Sequence, residues 1–449
     1  MEASTGPSKG GRQWAHLFSS SAGQNAPNTI TVEAQSVIST LSINQVPNYK
    51  SLSTVIYIWG DDPVERNDPS MRKGKEPWTP TIYRNLSNVR ISSVSCSSTY
   101  MMLLSSHHRL YALGRGEYGQ LGLGSTVRFV GEPTIIDGLH TVSEVACGMF
   151  HCVALGNNGK VYSWGLSDLA GHKEGMTTFK PTEVSIKADP VKCRSIDVND
   201  SLTVCACDSG HSLYHWGMTF TGFKIDRPQL LYSFDKERIR KVSVGKSFAL
   251  ALSEAGAVFC WGDSTYGETL AGCHKPNRSN CYLPRRISHR DIRNIVYIAA
   301  GGRHALLIDN SGRVISMGEN MYGQCGTTPS HHCGPSLIEF PESPFVTTKV
   351  FCGMRHSACI NNGGQLFTWG HSSNHKLIYT TSVESLIQPQ NQPGVSKQTG
   401  KKSCCSQPQL IYSLLNEKIV CAGLAECYTV VVAGEGIVGA QEAEPYNES

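Results

Sequence analysis

The chain has 449 residues, of which 44 are glycine, 17% are charged and 40% are hydrophobic. That apolar share supplies a sizeable core and excludes a wholly disordered chain, whose composition is polar and highly charged. A formal net charge of +4 disfavours a protein that grips nucleic acid with its whole surface, while leaving room for a local basic face.

The N-terminal stretch is Ser/Gly-rich, with Lys9, Arg12 and Glu2 the only charges in residues 1–32. No apolar stretch follows a basic start, so residues 1–53 read as a mostly disordered tail rather than a targeting segment. No uncharged apolar run approaches the roughly 18 residues that a membrane-spanning helix needs. The cysteine count of 17 is odd, and Cys96, Cys147, Cys152, Cys205, Cys207, Cys260, Cys352, Cys359, Cys421 and Cys427 fall inside apolar, strand-like runs. Such placement fits small buried hydrophobes in a reducing compartment. The expectation is a soluble protein of nucleus or cytoplasm, with a mitochondrial location as the minor alternative.

From residue 54 onward the glycines are periodic. A strand ending in a large apolar residue and glycine recurs at Trp59-Gly60, Leu113-Gly114, Trp164-Gly165, Trp216-Gly217, Trp261-Gly262, Met317-Gly318 and Trp369-Gly370, a period of about 52 residues. Two residues earlier stands Tyr57, Tyr111, Tyr162, Tyr214, Phe259, Ile315 or Phe367, the alternation of a half-buried strand. A second signature, apolar-x-x-Gly-x-x-His followed by alternating apolar residues, is clearest at Val145, Ile298 and Val350. Weaker copies begin at Val94, Ile196 and Val242. A seventh copy at Val420 has no Trp-Gly strand after it, and the first Trp-Gly strand has no copy before it.

Short turns such as Asn157-Asn158-Gly159-Lys160 and Asn310-Ser311-Gly312-Arg313 join the paired runs. Glycine takes positive φ there without steric penalty, a hairpin signal. Each unit is therefore a hairpin plus a longer segment, the content of a four-stranded blade. Complementary half-units at the two ends predict an all-β, seven-bladed β-propeller over residues 54–433, closed by N- and C-terminal strands. The Gln/Pro/Ser/Lys-rich stretch 377–407 reads as a loop insertion in the last blade, and 434–449 as a C-terminal tail.

The Trp-Gly strand ends, Arg115-Gly-Glu-Tyr-Gly-Gln-Leu-Gly122 and the Gly-x-x-His copies resemble the regulator of chromosome condensation family, over roughly residues 54–433. The resemblance implies the propeller. For the family's founding member it also implies nucleotide exchange on the small GTPase Ran and binding to chromatin. Other members are mitochondrial factors, a plant photoreceptor, trafficking and ciliary proteins, and parts of ubiquitin ligases. By the same resemblance Asp200 and His304 match positions that contact the GTPase. The segment 166–178 matches a protruding wedge, with Asp168, His172 and Lys173 as further contacts. The copy holding Asp200 lacks the glycine that would set its register.

Exchange has no covalent step, so neither an enzyme's catalytic group nor a cofactor is expected, only a monomeric regulator that loosens bound nucleotide. A turn acid such as Asp200 also caps local backbone amides, and a histidine that recurs at one repeat position (His151, His304, His356) argues for scaffold. Arg285, Arg286, Arg290 and Arg293, with His289 among them, run into the fifth copy and are candidate contacts for phosphate or an acidic partner. His331-His332-Cys333, Cys404-Cys405 and Cys273-His274 with Cys281 lack metal-site spacing, so no metal is expected. The competing reading is a non-catalytic propeller scaffold for chromatin, trafficking or organelle assembly.

Overall fold

The computed structural model describes residues 54–61, 80–86, 89–172, 177–186, 192–207, 211–263, 265, 281–341, 345–372, 377 and 404–434. The expected tails at 1–53 and 435–449, most of the expected insertion, and Lys173 lie outside them. The described strands, β1 to β28 in chain order, form seven four-stranded antiparallel sheets. The blades are numbered here by their Trp-Gly strands. Blade 3 serves as the pattern: β7 (Val142–Cys147), β8 (His151–Gly156), β9 (Val161–Gly165) and β10 (Thr178–Glu183) lie in that order from the channel outward.

Closure follows the complementary halves seen in the sequence. In blade 1, β1 (Thr54–Gly60) pairs with β28 (Tyr428–Ala433), from Val55 opposite Ala433 to Gly60 opposite Tyr428. β27 (Ile419–Leu424) completes this sheet on the inner side and β2 (Thr81–Leu86) on the outer. Joining the first described strand to the last turns an open row of sheets into a ring.

Burial sets the composition of each strand. The second strand is buried at every residue in all seven blades. Their sequences are accordingly almost wholly apolar, because each blade is covered on both faces by its neighbours. The same cover corrects the half-buried reading for two of the Trp-Gly strands. β17 (Val258–Gly262) and β21 (Val314–Asn320) are buried throughout. The rim is largely exposed: β18 (Cys281–Arg286) buries only Cys281 and Pro284.

Two backbone devices repeat with the blades. Each inner strand carries a register shift just after its first residue, a bulge that increases local twist. Ser92, Ser143 and Thr348 each donate a 3.1 Å hydroxyl hydrogen bond there to the carbonyl of Leu104, Leu155 or Ile360. Blades also interlock through tryptophan. Trp164 Nε1 donates to Gln120 O of blade 2 at 2.6 Å and Trp369 Nε1 to Gln324 O of blade 6 at 3.0 Å. Gly122 lies so close over Trp164 that a Cβ would stand 2.9 Å from Nε1. The Gly-Gln-Leu-Gly segment is thus a cap on the next blade's indole.

Candidate partner-binding face at the channel mouth

Antiparallel order puts the turns between first and second strands on the same face as the loops between third and fourth. Hydrogen bonds of 2.8–2.9 Å tie the two sets together: Arg115 N to Thr99 O, Leu166 N to Phe150 O, Met218 N to Ser201 O and Glu319 N to Arg303 O. Hairpins between second and third strands, and connectors between blades, lie on the other face.

In each first turn the amide of the first residue donates to the carbonyl of the fourth, as in Gly148 to His151 (2.9 Å), Asn199 to Leu202 (3.0 Å) and Gly301 to His304 (2.8 Å). This alignment sets the register that the sequence left open. Asn199 stands in the glycine place and Asp200 in the second place. Glycine suits the first place because successive turns stack: a Cβ on Gly148 would lie 2.6 Å from Asn199 O, and one on Gly301 2.6 Å from Gly353 O. Asn199 uses its side chain as a stitch. Its Oδ1 accepts from the amides of Ser201 (2.9 Å) and Leu202 (2.7 Å), and its Nδ2 donates to Gly245 O of blade 5 (2.9 Å). Asn199→Ala would leave those half-buried groups without the side chain and is expected to cost about 2 kcal/mol, read as a lower urea midpoint at unchanged slope.

The turns enclose a cavity of about 330 Å³, whose second places include Ser98, Met149, Asp200, Lys246, Gly302, Met354 and Glu426. Asp200 is half-buried, with Lys246 and Glu426 exposed. Burial raises the Asp200 pKa above the usual carboxylate range, Lys246 pulls it back, and the Glu426 carboxylate pushes it up. Exposed Tyr118, Met149, Met218, Phe223 and Met321 belong to the turns and loops of this face. Phe223, at 73% exposure, is the most open large apolar residue among the described residues. Aromatic and methionine anchors among charges are the composition of a protein-docking surface.

The fourth places point inward. His151 Nε2 is 2.8 Å from Thr203 Oγ1, His304 Nε2 2.9 Å from Ser357 Oγ, and His356 Nε2 3.4 Å from Thr429 Oγ1, each bridging to the next blade. Tyr100 does the same with its phenol, donating to Gly148 O at 2.8 Å. His304 is fully buried, so it braces the turn behind Gly301 rather than meeting solvent.

Residues 173–176 of the segment matched to a wedge lie outside the described residues. Residues 166–171 turn back onto the blade, with Leu169 and Ala170 buried. Gly171 takes φ +74° over Trp216, as Gly122 takes +71° over Trp164. Blade 3 therefore keeps a glycine packed over the next indole although its Gly-Gln-Leu-Gly letters are gone, but Trp216 Nε1 has no hydrogen-bond acceptor among the described residues. Asp168 stays exposed and pairs with Lys224 of blade 4 at 2.9 Å. His172 packs inward, its Nε2 2.9 Å from Ser163 Oγ, and burial lowers its pKa.

The arginine cluster lies on the opposite face. Arg286, Arg290 and Arg293 line a cavity of about 570 Å³ together with residues 255–258 of the blade 5 hairpin. Arg286 faces Glu237 at 3.7 Å and Arg290 faces Asp291 at 3.4 Å, while Arg285 is exposed on β18. Asp200 and these arginines therefore cannot serve one footprint.

Of the metal-type clusters, His331 and His332 are exposed while Cys333 is buried, and Cys273 and His274 lie outside the described residues. One group escaped the sequence reading. Cys193, Cys205 and Cys207 bring their sulfur atoms within 4.8 Å of one another. The Cys-x-Cys spacing at 205–207, which puts both side chains on one side of a strand, was the available signal.

Comparison with known proteins agrees with the ring. The regulator of chromosome condensation (RCC1) repeat matches residues 107–155, 255–308 and 311–360, and a second description of the same repeat matches 142–169, 239–268 and 295–324. The ultraviolet-B receptor UVR8 of Arabidopsis thaliana is 27% identical over 318 residues, 68% of this chain and 71% of the receptor. The E3 ubiquitin-protein ligase HERC2 of Mus musculus is 28% identical over 345 residues, 71% of this chain but 7% of the ligase. Among solved structures, Prp20p from Saccharomyces cerevisiae superposes with a TM-score of 0.67 at 17% identity, covering 85% of this chain and 92% of Prp20p. The period of about 52 residues, the two-ended closure and the repeat matches show that this chain carries regulator of chromosome condensation repeats in a seven-bladed propeller.

Proposed function

We propose that the protein is a guanine-nucleotide exchange factor for a Ran-like small GTPase, working through the channel-mouth face. The observation that carries this reading is Asp200, held by the Asn199 stitch in the second place of its turn and half-buried at the mouth, in a cavity it shares with the exposed Met149. Prp20p, whose fold this chain shares, is described with its binding to Gsp1p and histones, which supports a protein partner of this kind.

A GTPase holds its nucleotide by loop amides and a lysine around the phosphates, helped by Mg²⁺. A carboxylate brought against that loop competes with the phosphates for the same donors. Partial burial strengthens the competition, because an undersolvated charge gains more from a cation than a hydrated one does. Tyr118, Met149, Met218 and Phe223 would supply the binding energy that holds the nucleotide-free state. The protein then only has to bind that state more tightly than the loaded one.

The test is release of a fluorescent GDP analogue from Ran. Wild type accelerates release, and Asp200→Ala slows it about 30-fold or more, the effect of losing one side of a desolvated charge contact worth ~2 kcal/mol. The sealed position of His304 favours a second reading, a scaffold that binds without exchanging. That reading stands if the GTPase binds and GDP release stays at its intrinsic rate.

A further inference from the structure

In blade 4, β11 (Cys193–Val198) and β12 (Leu202–Cys207) pair so that Cys193 stands opposite Cys207. Cys205 shares a side of β12 with Cys207, two residues away. The sulfur atoms converge as a result: Cys193 Sγ and Cys207 Sγ are 3.2 Å apart, and all three lie within 4.8 Å of one another. The group is buried in the apolar layer between blades 3 and 4, against Val153, Val161 and Trp216. Cys193 begins its strand and Cys207 ends its own, with 5% and 3% exposure, so the cluster reaches the blade edge on the face away from Asp200.

We propose that Cys193, Cys205 and Cys207 form a binding site for one copper(I) ion. An all-sulfur donor set selects soft ions, chiefly copper(I) and zinc. Structural zinc takes four ligands in a tetrahedron, and among the described residues no His, Asp, Glu or fourth Cys joins this group. On its inner side the group meets apolar side chains, among them Val153, Val161 and Trp216. Three sulfurs packed against apolar side chains suit a low-coordinate d¹⁰ ion. For a metal–sulfur distance of about 2.3 Å, trigonal sulfurs stand about 4 Å apart, so the present triangle needs only small side-chain rotations.

The step balances without an oxidant. Copper(I) binds two of the sulfurs as thiolates, the third completes the trigonal set as a thiol, and two protons leave to solvent. No electron is transferred. Occupancy would tie the inner strand of blade 4 to its second strand at the end where the chain enters the blade.

The test uses the full-length, fully reduced protein under anaerobic conditions, titrated with copper(I) buffered by the colorimetric chelator bicinchoninate. Wild type is expected to withdraw one equivalent. Cys205→Ser should bind at least about 100-fold more weakly, beyond the 10–100-fold cost of outer-shell changes, whereas Cys404→Ser/Cys405→Ser should bind as wild type. X-ray absorption on the wild type loaded with one equivalent needs no variant and should show sulfur neighbours alone. Failure to withdraw copper would overturn the proposal. So would loss of binding in the Cys404/Cys405 variant, nitrogen or oxygen neighbours, or a Cys193–Cys207 disulfide that excludes the ion.

Discussion

Gly165→Ala is expected to destabilise the propeller by about 3–5 kcal/mol, combining positive-φ strain with a clash that cannot relax. Gly165 has φ +116°, and a Cβ there would stand 2.5 Å from Phe150 O and 2.7 Å from His151 Cα. Both neighbours are backbone of the paired strand, so neither can swing away as a side chain would. Gly165 lies opposite His151, and the same pairing recurs at Gly114 with Tyr100, Gly262 with Phe248, Gly318 with His304 and Gly370 with His356. Gly138→Ala is the matched control: its φ is +84° but a Cβ would meet nothing within 4 Å. It should cost about 1 kcal/mol, the conformational part alone. Urea unfolding of the two variants separates the terms, and equal losses would contradict the close-approach account.

Acid is the second strong lever on this fold. Burial lowers the His151 pKa to about 4 and the His304 pKa to about 3, against ~6.5 in an unfolded chain. A depressed folded value means that the unfolded chain binds the proton first. The stability these neutral histidines contribute is present above pH ~6.5 and is lost as pH falls towards 4 and 3. At pH 4.5 each should have lost about 2–3 kcal/mol. Asp197 opposes them: burial raises its pKa to about 6, and hydrogen bonds from the Val244 and Val198 amides only partly offset that. Its carboxyl regains stability as pH falls from 6 towards 3.8, by about 2 kcal/mol at pH 4.5. The net expectation is a loss below pH 6.5. His304→Gln destabilises at pH 7, but its deficit against wild type should shrink by about 2–3 kcal/mol at pH 4.5. A deficit independent of pH would mean that His304 titrates normally.

These two effects explain why so much of the ring was legible in the sequence. A backbone that needs positive φ beside a close neighbour accepts only glycine, so Gly60, Gly114, Gly165 and their equivalents survive where surrounding letters drift. The inter-blade brace admits histidine, tyrosine or phenylalanine, which is why the Gly-x-x-His copies fade at Tyr100 and Phe248. Legibility stopped where a side chain took over a backbone role. Asn199 replaces glycine by bonding across to Gly245, and this hid the register of Asp200. Gly171 restores the glycine contact on Trp216 without the Gly-Gln-Leu-Gly letters, so the sequence pattern did not show it. The side of the ring on which Arg286, Arg290 and Arg293 emerge depends on strand direction, which composition does not carry. Cys193 meets Cys205 and Cys207 only through strand pairing.

Hydrogen–deuterium exchange of the propeller, alone and with nucleotide-free Ran, tests most directly which face does the work. The account predicts slower exchange at residues 97–99, 148–150, 199–201 and 245–247 on the channel-mouth face, with no change at hairpins 157–160 and 254–257. Protection confined to those hairpins and to 286–293, or no protection anywhere, would contradict it.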